Sequence, residues 1–185
     1  MIIFYRYLRK NDRLMKIVLV GYMGCGKSTI GYLLAKKKYM PFIDLDVYIE
    51  EKEKATIQTI FKEKGEIYFR KIEHQYLKEI LYMKKDIVLS LGGGTPCYAN
   101  NMNEIEKSEA ISVYLKATIS TLKERLLKGK KNRPLIAKLE DENLSEFIAK
   151  HVFERSTFYN KATHKINIDG KTKSQLVAEL RILLH

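Results

Sequence analysis

The sequence predicts an α/β fold, a three-layer sandwich in which a five-stranded parallel sheet is flanked by helices. Three observations carry that prediction. Short apolar runs rich in Ile and Val recur along the chain, which suits strands buried on both faces. Segments with apolar residues at steps of three and four separate them, which suits amphipathic helices. The chain has 185 residues, 45% hydrophobic and 30% charged, enough for one core and unlike a disordered composition.

Residues 1–14 read as an extension of unassigned role, and 15–185 as a single domain. Arg6, Arg9 and Lys10 interrupt the apolar start, and no small-residue cleavage site follows. KIVLV (16–20) is the first strand, and residues 27–38 form a helix after a glycine-rich loop. PFIDLD (41–46) holds a short second strand, and VYIEE after Asp46 begins another helix. In 66–83, Phe69, Ile72, Tyr76, Ile80 and Met83 line one helical face. DIVLSL (86–91) and AISVYL (110–115) are the third and fourth strands. In 118–128, Ile119, Leu122 and Leu126 share a face, with Thr118 placed as N-cap and Gly129 just past the end. KGKKNRPLIAKLEDEN (128–143) is polar and charged, and reads as a mobile surface loop. Residues 143–162 and 172–184 read as helices around a fifth strand, KINI (165–168). Right-handed crossovers then place the strand carboxyl ends along one edge, where ligands bind.

A net charge of +12 fits either nucleic acid or anionic small molecules. The lysines are spread along the whole chain and aromatics do not interleave with Arg, so no nucleic-acid partner is expected. No apolar stretch is long enough to span a bilayer, so no membrane association is expected and the cytoplasm is the expected location. Cys25 and Cys97 are too few for a disulfide framework and read as free thiols. His74, His151, His164 and His185 show no metal-ligand spacing.

Gly21-Tyr22-Met23-Gly24-Cys25-Gly26-Lys27-Ser28 fits G-x-x-x-x-G-K-[ST], and it follows a strand and opens a helix. The glycines let successive backbone N–H groups turn inward as a nest for phosphate oxygens. Gly24, Cys25, Gly26 and Thr29 belong to that cradle, Lys27 reaches the β- and γ-phosphates, and the Ser28 hydroxyl suits Mg²⁺. A bare glycine turn before Lys-Ser would not need both flanks. The chain is therefore expected to bind a nucleoside triphosphate with Mg²⁺.

The acceptor is less direct. Of Asp44 and Asp46, one carboxylate could support the metal and the other hold or deprotonate a hydroxyl, while Asp46 could equally be a helix N-cap. The third strand ends without the acid usual for this loop type, which leaves Asp44 to supply it. LGGGTP (91–96) is either a ligand-hugging loop or a flexible turn. Arg70 and Glu73 could be a surface ion pair, and Arg133 and Arg155 are ordinary alone. Together the three arginines would suit an anionic acceptor.

In combination these motifs resemble the shikimate kinase family, of the P-loop kinase fold, from about Lys16 to the carboxyl terminus. GYMGCGKST, FIDLD, FRKIE, GGG, RPL and RSTFYNKA occur in family order. The resemblance implies transfer of the γ-phosphoryl of ATP to the 3-hydroxyl of shikimate, in aromatic amino acid (chorismate) biosynthesis. It implies that Asp46 binds and activates the acceptor hydroxyl. Arg70 and Arg155 would clamp the carboxylate beside Gly92, Gly93 and Gly94, with Glu73 positioning Arg70. Ser28 would ligate Mg²⁺ directly and Asp44 through water. Arg133, on a mobile lid at about 128–142, would close over the phosphates. Arg125 and the loop around Asp169 and Gly170 would border the adenine. The substrates would be ATP and shikimate, and the protein a monomer. The rivals are another small-molecule kinase of this fold, such as a gluconate kinase, and a nucleotide-binding switch module. Cys25, inside the loop, predicts inhibition by thiol alkylation with protection by ATP.

Overall fold

A computed structural model describes residues 14–130 and 134–184. Its strands β1 (Lys16–Val20), β2 (Phe42–Asp44), β3 (Ile87–Ser90), β4 (Ile111–Lys116) and β5 (His164–Asn167) form one parallel sheet in the order β2-β3-β1-β4-β5. Ile17–Val20 and Ile87–Leu89 are fully buried. A strand covered on both faces gains nothing from alternating polarity, which is why these segments are continuous apolar runs. Leu19 pairs with Ser90 across β1 and β3, so the loops that leave these two strands emerge side by side.

The α-helices among the described residues are α1 (Lys27–Lys38), α2 (Leu45–Glu53), α3 (Ile57–Leu81), α4 (Asn101–Lys107), α5 (Ile119–Leu127), α6 (Pro134–Ala137), α7 (Leu144–Tyr159) and α8 (Lys173–Leu183), and one 3₁₀ turn covers Thr95–Cys97. α1 packs on β3 and α8, α2 on α3, and α5 on α7. Thr118 caps α5 as the sequence predicts, its hydroxyl accepting from the Thr121 amide. Thr172 and Gln175 form a reciprocal capping box at the start of α8. Among the described residues, no helix is long and apolar enough to cross a membrane.

Four departures from the sequence reading have physical causes. β2 stops at Asp44, because the Asp44 carboxylate accepts from the Asp46 amide and starts α2 at Leu45. Asp44 and not Asp46 is therefore the N-cap, and Asp46 stands in the first helical turn. α3 begins at Ile57, ahead of the periodic stretch that starts at residue 66, since Gly65 (φ 78, ψ 173) breaks the helix and resets its apolar phase. α4 follows Asn100, whose left-handed φ of 58° turns the chain into a helix of only seven residues, too short to show a period. Finally, the segment 128–143 is not wholly a surface loop: Ile136 of α6 is completely buried and Lys130 pairs with Asp141 at 2.5 Å. Most of the amino-terminal extension (residues 1–13) and Arg133 lie outside the described residues.

Candidate active site

β1 hands over to α1 through residues 21–26. Gly24 (φ 83°) and Gly26 (φ 100°) hold left-handed angles that a side chain would disfavour. Gly26 is the N-cap of α1, where no side chain caps the end and no acid stands in the first turn. The first N–H groups of α1 and its partial positive charge are left for an anion. Lys27 is buried, its Nζ donating to the Gly21 carbonyl at 2.7 Å and the Tyr22 carbonyl at 3.1 Å. Arg125 on α5 donates from Nη1 to the Cys25 carbonyl at 3.1 Å, so its guanidinium lies against the loop. Asp169 accepts from the Thr118 amide at 3.1 Å and the Thr118 hydroxyl at 3.2 Å, tying the loop after β5 to the start of α5.

At the other side of the loop, the Ser28 hydroxyl donates to Asp44 Oδ2 at 2.6 Å and lies 3.4 Å from Ser90 Oγ. Ser90 ends β3, where the usual acid is missing. Asp44 is its register partner on β2 and brings a carboxylate to the same place. Two hydroxyls and one carboxylate are a hard oxygen set of the kind Mg²⁺ prefers. No cluster of three or more His, Cys, Asp or Glu groups suited to a metal occurs among the described residues. Mg²⁺ fits that arrangement, since it commonly takes one or two protein oxygens and completes its shell with water and phosphate.

The second half of the site grows from the end of β3. Each glycine of Gly92-Gly93-Gly94 faces one of the residues expected to hold the acceptor. A methyl group on Gly92 would stand 2.9 Å from Asp46 Oδ1, one on Gly93 3.7 Å from Arg155 Nη1, and one on Gly94 3.6 Å from both terminal nitrogens of Arg70. The same methyl on Gly93 would stand 3.1 Å from the Met23 amide nitrogen, so this loop abuts the phosphate-binding loop. Bare backbone is what lets three side chains from α2, α3 and α7 converge there.

Behind them lies a hydrogen-bonded support. Glu73, buried, accepts from the Thr95 hydroxyl at 2.6 Å and from Arg70 Nη1 at 3.1 Å. Arg70 also reaches Glu66 at 3.2 Å and stacks 3.7 Å over the Tyr98 ring. Asn101 donates to the Thr95 carbonyl at 2.8 Å, and His74 Nδ1 lies 2.7 Å from Asn101 Oδ1. Tyr159 donates its hydroxyl to the Gly93 carbonyl at 2.5 Å. Burial pushes the Asp46 carboxyl up to about 6, helped by the charges of Asp44 and Glu73 and opposed by Lys27. A carboxyl tuned toward neutrality is suited to take a proton from a hydroxyl. Burial also raises Glu73, against the Thr95 hydrogen bond and the Arg70 charge.

The fold thus gathers Lys27, Ser28, Asp44, Asp46, Arg70, Gly92, Gly93, Gly94, Arg125 and Arg155 around two adjoining loops, and Glu73 does touch Arg70. One expectation needs correction. Cys25 is only 1% exposed, its side chain turned into the core, so it offers no surface to an alkylating reagent. Sequence reasoning gave no role to Thr95, Tyr98, Asn101 or Tyr159, although Thr95 stands in LGGGTP and Tyr159 in RSTFYNKA. For Tyr159 a signal existed, since it lies one helical turn beyond Arg155.

A family model described as shikimate kinase matches residues 23–184. The chain is 50% identical over 169 residues to a shikimate kinase of Flavobacterium johnsoniae, covering 91% of this chain and 98% of that protein. Its fold is similar to the crystal structure of shikimate kinase from Bacteroides thetaiotaomicron, with a TM-score of 0.86 and 36% identity over 93% of this chain and 99% of that one. It is also similar to shikimate kinase from Acinetobacter baumannii in complex with shikimate, with a TM-score of 0.82 and 34% identity over 93% of each chain.

Proposed function

The chain belongs to the shikimate kinase family, and on that premise we propose how its residues transfer the γ-phosphoryl group of ATP to the 3-hydroxyl of shikimate. The products are shikimate 3-phosphate and ADP, and the step serves aromatic amino acid biosynthesis. One observation carries the assignment of roles: Asp46, Arg70 and Arg155 meet over a glycine loop that abuts the phosphate-binding loop.

Arg70 and Arg155 hold the acceptor carboxylate, a planar anion that guanidinium groups bind with defined geometry. Glu73 and the Tyr98 ring fix Arg70 in place. Asp46 orients the hydroxyl and accepts its proton as the new oxygen–phosphorus bond forms. The N–H groups of residues 24–29 and the Lys27 ammonium hold the phosphates and stabilise the charge that spreads over the γ-phosphoryl oxygens. Ser28 and Asp44 would hold Mg²⁺, which when bound neutralises phosphate charge. Arg125 and the Asp169–Gly170 loop border the adenine. Arg133 is assigned to closure over the phosphates from the family motif alone. We place the enzyme in the cytoplasm as a monomer.

The test is ADP release in the presence of ATP and Mg²⁺, with shikimate, gluconate, nucleoside monophosphates or no acceptor added. Turnover should depend on shikimate. Equal turnover with gluconate, or slow hydrolysis indifferent to any acceptor, would overturn the reading.

A further inference from the structure

His151, Arg155 and Tyr159 lie at steps of four along α7 and share one helical stripe. Each contacts one of the two ligand-binding loops. Tyr159 holds the Gly93 carbonyl. Arg155 lies over the Tyr22 ring, 5.6 Å from its centroid, beside Gly93. His151 Nδ1 lies 3.2 Å from the Tyr22 hydroxyl. One turn before it, Phe147 backs the imidazole, with ring centroids 4.1 Å apart.

Tyr22 is the hub of this arrangement. It belongs to the phosphate-binding loop, and only 2% of its surface is exposed. Its carbonyl accepts from Lys27 Nζ at 3.1 Å and from the Cys25 amide at 3.2 Å. Its ring faces Arg155 and its hydroxyl meets His151. The phosphate cradle itself uses only backbone at this position, and the carboxylate clamp needs no imidazole. Burial pushes the Tyr22 phenol up to about 12, and burial together with the Arg155 charge pushes His151 down. The phenol therefore keeps its proton beside a neutral imidazole, the two share one hydrogen bond whose direction follows the ring tautomer, and neither group can turn to water without breaking it.

We propose that Tyr22 and His151 are positioning residues that lock α7 to the phosphate-binding loop, coupling the grip of Arg155 on the acceptor carboxylate to the grip of Lys27 on the nucleotide phosphates. The proposal rests on the roles assigned above to Arg155 and Lys27. Its physical content is a linkage. An acceptor that draws Arg155 toward it shifts α7, the stripe moves the Tyr22 ring, and the Tyr22 carbonyl that restrains Lys27 moves with it. Coupling of this kind is reciprocal, so each ligand must tighten the other by the same factor.

The experiment is calorimetric titration of the full chain with MgADP, with and without saturating shikimate, and the readout is the ratio of the two dissociation constants. The wild-type ratio is expected to be about fivefold or more, the lower end of ordinary coupling. Tyr22→Phe, which keeps the ring and removes only the hydroxyl, should bring the ratio below twofold, and His151→Leu should do the same. His151→Asn, which restores a polar group near the Nδ1 position, should recover most of the ratio. A wild-type ratio of one overturns the proposal. So does an undiminished ratio in Tyr22→Phe, even where both affinities fall together, because that pattern belongs to a merely structural contact. Arg155→Ala separates this from the underlying reading: wild-type shikimate affinity in that variant would overturn the clamp itself, whereas loss of shikimate binding there with an intact ratio in Tyr22→Phe overturns the coupling alone.

Discussion

Gly92→Ala tests the acceptor half of the site with the smallest possible perturbation. Gly92 holds no left-handed angle, so alanine brings no backbone strain. Its methyl group would stand 2.9 Å from both Asp46 Oδ1 and Thr95 Oγ1, where ordinary contacts begin at 3.4 Å, so something must move by about half an ångström. Thr95 is fully buried, its hydroxyl is bonded to Glu73 at 2.6 Å and its amide to the Gly92 carbonyl at 3.2 Å. Asp46, on a short side chain in the first turn of α2, gives way on one side, and the Thr95 hydroxyl held by Glu73 has to turn on the other. A misplacement of about 1 Å at a reacting group costs about 10²-fold in rate, so half of that costs about tenfold. We expect kcat to fall about tenfold in the shikimate-dependent ADP-release assay, with the ATP KM within about twofold of wild type. Stability should fall by about 1 to 3 kcal/mol in chemical denaturation, because the displaced atoms are side-chain ends but one of them is the buried, hydrogen-bonded Thr95 hydroxyl. Wild-type kcat in a folded Gly92→Ala protein would refute the placement of Asp46 against this glycine. A stability loss above about 3 kcal/mol would refute the argument that side-chain ends and not backbone give way.

Four further outcomes follow from the same geometry. With its carboxyl raised to about 6, Asp46 must lose its proton before it can act as a base, so kcat/KM for shikimate should rise with pH through about 6 and then level; Asp46→Asn should lower kcat by about 10²-fold or more and abolish that rise, with little change in MgADP affinity by calorimetry. The sign for stability is opposite: between about pH 4 and 6 the folded chain holds a proton the unfolded chain has released, so this carboxyl's contribution is lost as pH rises through that window, and Asp46→Asn should remove that part of the pH dependence of the denaturation midpoint. Glu73→Gln keeps a partner for Thr95 but removes the charge that orients Arg70, and should raise the shikimate KM about tenfold while leaving the ATP KM nearly unchanged in steady-state kinetics. In native-state alkylation followed by mass spectrometry, half-buried Cys97 should react before buried Cys25, and slowly, since burial lifts its thiol to about 11; shikimate and not ATP should protect it, because the charges acting on Cys97 include those of Arg155 and Arg70.

The sequence made the sheet and the phosphate-binding loop legible because both are local. KIVLV and DIVLSL announce strands closed on both faces, and the loop motif needs only a strand before it and a helix after it. The start of α3 was not legible, since Gly65 breaks the period that would have revealed it. Nor was the division of labour between Asp44 and Asp46. Both stand near a strand end in the sequence, and only the structure shows that Asp44 caps the helix through Oδ1 while its Oδ2 meets Ser28, which leaves Asp46 to face the acceptor.

The acceptor cleft marks a different boundary. Asp46, Arg70 and Arg155 come from three helices and look unremarkable one by one. They meet because the segment after β3 carries no side chains over three consecutive residues, and a run of glycines announces an emptiness without saying what fills it. The same holds for Ser28 with Ser90, Thr95 with Glu73, and Tyr159 with Gly93, which are 62, 22 and 66 residues apart in the chain. Each pair is fixed by the order β2-β3-β1-β4-β5, which brings the ends of β1 and β3 together and hangs α3 and α7 beside them. A change in that order would leave every motif intact in the sequence and dissolve the site. The chemistry therefore depends on the sheet as much as on the residues, and the glycine loop is where that dependence is concentrated.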